Sequence, residues 1–310
     1  MIHLLDKPES KPLITAVSIC KGIPEAAVKK DLLICNILSN LSSSDFMSKC
    51  IFKGGTSLSK CYPGTIDRFS EDIDLTYLPD ELMSDKQIKK HLKKLEAILV
   101  DSFAVIPIPE ERSDRNISSR IEYSGTSIKL EIGSVVRSEP VSVKSIKSYI
   151  QEYLEDKQFI DMIDKYHLSA FNVTVLDITR TFIDKLLSIK RHAIGGHLNE
   201  KVRHIYDVFR LYQHPEVQAL LKDKPRLKKI VRLTKEADVL ILKKRKNYAA
   251  YNPLLPFSLD IWLNELTAPS IRNRYSRLHE DLLYTDTKQD FDLALKTIKE
   301  LANIMDSISE

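Results

Sequence analysis

Apolar residues at Val28, Leu32, Leu33, Ile37 and Leu41 recur at helical spacing and predict an amphipathic helix over residues 24–41, with Pro24 in its first turn. The pattern then shortens. Cys50 to Lys53 reads as a short strand that runs into Gly54-Gly55, and Thr56 to Cys61 reads as a helical turn. In Asp72 to Leu78, Ile73 and Leu75 alternate with Asp72, Asp74 and Thr76, the period of a half-buried strand. Ser84 or Asp85 can cap a long helix reaching about Ser102, with Ile88, Leu92, Leu95 and Ile98 on one stripe. Ile117 to Tyr123 and Ser127 to Ile132 are two further strands, which Ser124-Gly125-Thr126 can join as a hairpin. After a polar stretch near 134–145 the pattern is mainly helical, over about 146–155, 179–194, 200–213, 225–246 and several later segments, with Val173 to Leu176 as a last strand or an extended link.

This order predicts an α+β chain: a strand-bearing domain over residues 1–140, then a mainly helical domain over 141–310. The length of 310 residues agrees, since domains of roughly 100–200 residues give about two. Hydrophobic residues at 43% and charged residues at 29% are ordinary for a globular protein and argue against disorder. No apolar run approaches the ~20 residues of a membrane span and no signal peptide stands at the N-terminus, so a cytoplasmic protein with no membrane partner is expected. Cys20, Cys35, Cys50 and Cys61 lie at no metal-ligand spacing and read as free thiols, mostly buried, of a reducing compartment.

Net charge is only +4, but the basic residues are unevenly placed. Lys222 to Lys246 holds eleven Lys or Arg residues against Asp223, Glu236 and Asp238, a run that could face a polyanion or form a solvated helix face.

The chemistry is concentrated between residues 53 and 75. A strand points alternate side chains to one face, so Asp72 and Asp74 can present two carboxylates together while Ile73 and Leu75 anchor the other face. Paired carboxylates of this kind hold Mg²⁺ or Mn²⁺ against a triphosphate, where negative charge crowds the reacting centre. A third acid from a neighbouring strand is expected as metal ligand and general base, and Glu131, which shares its face with Lys129, is the best placed. Gly54 and Gly55 allow the close backbone approach a phosphate chain needs, and the helix turn at Thr56 offers unpaired N–H groups beside the Thr56 and Ser57 hydroxyls. Lys60 and Arg68 can reach phosphate oxygens. Taken alone, a Gly-Gly is usually a turn and an Asp-x-Asp a solvated edge. Their order here, strand, glycines, helical turn, acid pair on a new strand, is the context a nucleotidyl-transfer site requires.

Lys53-Gly54-Gly55-Thr56-Ser57-Leu58 and Arg68-Phe69-Ser70-Glu71-Asp72-Ile73-Asp74-Leu75 resemble, almost letter for letter, the motif block of the AbiEii/AbiGii-type (MenT-like) nucleotidyltransferase toxins. These form a branch of the DNA polymerase β-like superfamily found in bacterial toxin–antitoxin and abortive-infection systems. Lys30-Asp31 resembles the lysine-aspartate pair that precedes the block. Thr181-Phe182-Ile183-Asp184-Lys185-Leu186 resembles a later helix whose lysine contacts nucleotide phosphates, which carries over to Lys185. Arg203-His204-Ile205-Tyr206-Asp207-Val208 resembles a further helix; His204 stands where an acid is frequent, so Arg203 and Asp207 alone carry over. The resemblance covers about residues 30–212.

It implies a polymerase β-like mixed sheet with flanking helices, followed by a helical domain that supplies Lys185, Arg203 and Asp207 to the nucleotide, and an acceptor surface. It also implies transfer of NMP from an NTP to an acceptor hydroxyl with release of pyrophosphate. A tRNA 3′ end is the first choice of acceptor, with the basic run as a backbone track and Tyr248 and Tyr251 to stack a base. Transfer to a small molecule or a protein, and a non-catalytic NTP- or RNA-binding regulator, are the alternatives. A cognate antitoxin is an expected partner, and Ser70, counted among the nucleotide-binding residues and two residues from Asp72, is where a phosphate would repel the triphosphate, although a hydroxyl there more often bonds the loop or the substrate. His192, His197 and His204 read as loop and helix-surface residues, and Trp262 as helix core.

Overall fold

A computed structural model of the chain describes residues 4–68, 70, 72–135, 138–243 and 248–308. Phe69 and Glu71 of the motif block, and residues 244–246 of the basic run, lie outside the described residues. Two compact units emerge, one of residues 1–62 and 69–176, the other of residues 63–68 and 177–310. The sequence pattern ends the strand-bearing part near residue 140; in the structure two more strands beyond that point complete the sheet, and the first unit runs to Leu176.

In chain order the first unit contains α1 (Ser10–Lys21), α2 (Glu25–Ser42), β1 (Cys50–Lys53), α3 (Gly54–Cys61), β2 (Asp72–Tyr77), α4 (Asp85–Val100), β3 (Ala104–Pro107), β4 (Asn116–Tyr123), β5 (Thr126–Gly133), β6 (Val141–Ile146), α5 (Tyr149–Asp156), α6 (Ile160–Tyr166) and β7 (Phe171–Leu176). The strands form one mixed sheet in the order β3-β4-β5-β2-β1-β7-β6. β1 and β2 are antiparallel, whereas β2 with β5 and β1 with β7 are parallel. The hairpin between β4 and β5 forms on Ser124 and Gly125, both with positive φ, the backbone a two-residue turn between right-twisted strands needs. Alternation sorts the faces: Ile73, Leu75, Ile128, Leu130 and Ile132 are buried, each worth about 1.5–3 kcal/mol, while Asp72, Asp74, Lys129 and Glu131 lie on the other face.

α4 starts with a capping box, Ser84 accepting from the Gln87 backbone and Gln87 accepting from the Ser84 N–H. Its buried stripe is Ile88, Leu92, Leu95 and Leu99; Ile98, expected on that stripe, is half-buried because the helix turn carries Leu99 to the core instead. The pattern also passes over α1, β3, β6 and α6. β3 and β6 are the edge strands, with exposed Ile106, Val141 and Val143, so they lack the buried alternation that marks the central strands.

The second unit is helical: α7 (Ile178–Ile194), α8 (Arg203–Tyr212), α9 (Pro215–Lys222), α10 (Lys224–Leu242), α11 (Leu263–Leu266), α12 (Pro269–Ser276), α13 (Leu278–Asp281) and α14 (Phe291–Ser307). α7 packs on α8, α9 and α10, and α8 also packs on α12 and α14. Trp262 is buried and donates from Nε1 to the Phe257 carbonyl at 3.1 Å, the satisfied core position expected of it. The fold is α+β, and among the described residues no helix is long and apolar enough to cross a membrane. Cys35, Cys50 and Cys61 are buried free thiols and Cys20 is an exposed one.

Candidate active site

The first unit builds its polar face around the turn from β1 into α3. Lys53, the last residue of β1, pairs in register with Asp74, and on the other side of β2 Asp74 pairs with Glu131 and Asp72 with Lys129. Paired residues of adjacent strands share a face, so the two aspartates and Glu131 project to one side as the alternation implied. Gly54 turns the chain with φ +82°, and a Cβ on it would stand 2.1 Å from Asp74 Oδ2. The Asp74 carboxylate thus occupies the space where any other residue would carry its side chain.

Thr56 and Ser57 are both about 1% exposed, and their hydroxyls hold the turn itself. Thr56 Oγ1 donates to the Asp72 carbonyl and lies 2.9 Å from Ser70 Oγ, while Ser57 Oγ donates to the Gly54 carbonyl at 3.0 Å. Both hydroxyls fix the backbone on which Gly54 and Asp72 sit. Gly54 and Gly55 form the first turn of α3, whose leading N–H groups have no partner within the helix.

Glu131 meets Lys129, whose Nζ is 2.5 Å from Glu131 Oε1 and 2.7 Å from Glu111 Oε2. These side chains are partly exposed, so the pairs are weak, on the order of 1 kcal/mol or less, and exchangeable. The two acids, with burial outweighed, hold the Lys129 ammonium up at about 12. Among the described residues no three His, Cys, Asp or Glu side chains stand close enough together to enclose a metal. Mg²⁺ rarely asks for that: it uses one or two carboxylates and completes its shell with water and substrate phosphates. Asp72 and Asp74 fit that demand, with Glu131 one strand away and engaged by Lys129.

Lys60, expected to reach phosphate, is turned into the interior of the first unit. Its Nζ lies 2.5 Å from Asp31 Oδ1, donates to the Lys147 carbonyl at 2.7 Å, and sits 4.5 Å from the centre of the Tyr149 ring. Asp31 also accepts from the Tyr149 N–H at 2.7 Å. The lysine and the aspartate of two separate motif segments are therefore a buried pair joining α2 to α3. For Lys60→Ala, KM for the nucleotide should stay within about twofold while urea unfolding shifts to lower concentration; a KM rise of tenfold or more at full folding would return Lys60 to the phosphates.

In the second unit the corresponding centre is Asp207 on α8. Its carboxylate is fully buried and shared: Arg68 donates from Nε to Oδ1 at 2.6 Å and from Nη2 to Oδ2 at 2.9 Å, and Lys185 Nζ donates to Oδ2 at 2.6 Å. Burial opposes ionisation of Asp207, yet Arg68 and Lys185 prevail and hold it far below the usual carboxylate range. Lys185 is pulled the other way: burial lowers it, opposed by Asp207 and aided by Arg68 and Arg203. Arg68 reaches this centre because Asp67 and Arg68 are tied into the second unit, Asp67 accepting from the Tyr284 N–H and pairing with Arg210, and Arg68 bridging Leu283. The motif block therefore hands Arg68 to Asp207, a partner 139 positions away that no local spacing announces.

Arg203 begins α8 and lines a cavity of about 400 Å³. His192, read as a surface residue, is buried on α7, with its Nδ1 3.0 Å from Tyr248 Oη and its ring against that of His204. Tyr248 is half-buried with its ring against His192 and His197, and Tyr251 is buried with its hydroxyl on Asp238 at 3.3 Å; both line a cavity beside the end of α10. The sequence hides this because Gly195-Gly196 breaks the helical period; Gly195 is where Tyr248 approaches, 2.9 Å from a would-be Cβ.

The chain superposes on MenT4, a nucleotidyltransferase toxin from Mycobacterium tuberculosis, with a TM-score of 0.52 at 17% identity, over 95% of this chain and 98% of that one, which shows a shared fold. No curated protein matches it in sequence. The family model described as nucleotidyl transferase AbiEii toxin, type IV toxin–antitoxin system, matches residues 36–297, most of the chain's length. The chain therefore belongs to the AbiEii family of toxin nucleotidyltransferases of type IV toxin–antitoxin systems.

Proposed function

We propose that the protein transfers an NMP moiety from an NTP to an acceptor hydroxyl, most favourably a tRNA 3′ end, releasing pyrophosphate. The observation that carries this reading is the packing of the Asp74 carboxylate against the Gly54 backbone, with Asp72 on the same face and Glu131 in register beside it. It sets two carboxylates at the start of a glycine turn whose N–H groups suit a phosphate chain.

In this reading Asp72 and Asp74 are the residues that would hold Mg²⁺ or Mn²⁺, and Gly54, Gly55 and the start of α3 take the phosphates. The cation, when bound, neutralises charge on the α-phosphate and on the departing pyrophosphate. Glu131, released from Lys129, accepts the proton of the acceptor hydroxyl, whose oxygen bonds to the α-phosphorus as the bond to pyrophosphate breaks. Lys185, held by Asp207, and Arg203 are the further cations proposed for nucleotide phosphates. The cognate antitoxin that a type IV system implies would act on this output.

The test is to incubate the protein with each labelled NTP and Mg²⁺ in the presence of total tRNA, protein or small alcohols. Label should enter tRNA, and Asp72→Ala should reduce it by about 1,000-fold, a loss of several kcal/mol of charge stabilisation. If tRNA stays unlabelled with all four NTPs, the acceptor is wrong; if Asp72→Ala keeps the growth toxicity of the parent, chemistry is not its cause.

A further inference from the structure

The cavity beside Arg203 has a second wall on α12. Arg203, Arg274 and Arg277 line it, with Ser270 and Asn273 as neutral donors and Glu200 and Asp281 as the acids. A second cavity of about 450 Å³ adjoins it, shares Asn273 and Arg277, and continues to Lys288. The two adjoin along α12, and five cationic side chains, Arg203, Arg272, Arg274, Arg277 and Lys288, line them.

The partners of these cations differ. Arg272, in the outer cavity, is bound to both oxygens of Asp292 at 2.7 and 2.8 Å, and Arg277 to Glu280 at 2.7 Å. Arg203 and Arg274 have no hydrogen-bond or ion-pair partner among the described residues. Arginine's planar fork is suited to phosphate oxygens, and an exposed pair such as Arg277 with Glu280 yields to a phosphate at small cost. Arg203 is also one turn from Asp207 on α8, so the inner end of the groove abuts the buried Asp207, Arg68 and Lys185 centre of the same unit.

A single small anion would need one cavity; a row of cations through two joined cavities suits a row of phosphates. We infer that the groove along α12, from Arg203 past Arg274 and Arg277 to Lys288, binds the phosphate backbone of a polynucleotide. α10, the helix of the basic run, supports this role less well. Its cations Lys224, Arg226, Lys228, Lys229 and Arg232 are exposed and line neither of these cavities, and Lys235 is turned onto the Leu255 carbonyl at 2.9 Å. The inference extends the RNA-acceptor reading above and rests on it for the identity of the polynucleotide, but binding can be read without turnover.

The experiment measures anisotropy of a labelled single-stranded oligoribonucleotide over a salt series, without NTP. Arg274→Ala with Arg277→Ala should weaken binding about tenfold and flatten the slope of log affinity against log salt by about 1.4, at ~0.7 per lost phosphate contact. Arg274→Glu should weaken it further, since it adds a repelling charge. Lys224→Ala with Arg226→Ala on α10 should leave the slope as in the parent. All four side chains are exposed, so unfolding does not confuse the comparison. Unchanged affinity and slope in the α12 variants, no RNA binding by the parent, or a slope that responds to α10 instead would each overturn the inference. So would an α12 pair that loses ATP binding while keeping RNA binding, because the groove would then hold the nucleotide's phosphates. Groove-dependent RNA binding without tRNA labelling would uphold the groove and remove the acceptor reading alone.

Discussion

Gly54→Ala should lower nucleotidyl transfer by about 100-fold or more while leaving most of the folding stability in place. The Cβ it adds would stand 2.1 Å from Asp74 Oδ2 and 3.1 Å from Asp74 Cγ, so the carboxylate must swing away, taking the oxygen proposed to hold the metal out of line by about an ångström. A left-handed φ of +82° adds strain of about 1–2 kcal/mol for any residue with a Cβ. Gly22→Ala separates the two effects. Gly22 has φ +64° and nothing within 4 Å of its would-be Cβ, so that variant should lose a similar amount of stability and keep full activity. Labelled-NTP transfer read beside urea unfolding gives the answer. Parental turnover in Gly54→Ala would mean that Asp74's position against the glycine is not part of the site.

Asp72, Asp74 and Glu131 were legible in the sequence because a strand's period of two fixes the face on which each side chain points, and Ile73, Leu75, Leu130 and Ile132 declare the opposite face. Gly54-Gly55 was legible as a turn into a helix. What was not legible is which cation belongs to which acid. Lys60 and Arg68 both read as long basic side chains near a phosphate site, yet Lys60 pairs with Asp31 and Arg68 with Asp207. Partners 29 and 139 positions away are decided by packing, and a single sequence carries no period for that. The same limit applies to the sheet beyond residue 140, where edge strands such as β6 place Val141 and Val143 in solvent and so break the alternation that would announce them.

Asp207→Ala should destabilise the second unit by about 3–5 kcal/mol, because it strands two buried cations rather than removing one pair. Arg68 is about 2% exposed and Lys185 about 7%, so neither can find water in place of the carboxylate without opening the structure. Lys185 escapes most readily, by losing a proton that burial already weakens, whereas the Arg68 guanidinium stays charged. The pH dependence has a definite sign. Asp207 is held below its ordinary range by Arg68 and Lys185, so its contribution is complete above the unfolded pKa of about 3.9 and declines as pH falls from there. The stability gap between parent and Asp207→Ala should therefore be widest near neutral pH and narrow on the acid side, as followed by urea unfolding at a series of pH values. A gap of equal size throughout would mean the carboxylate acts by shape and not by charge. The combined variant Arg68→Met, Lys185→Met, Asp207→Leu supplies the counterpart: an apolar cluster of similar bulk should recover much of the lost stability. If it recovers the fold and not nucleotidyl transfer, the charges at this buried centre serve the nucleotide rather than the architecture.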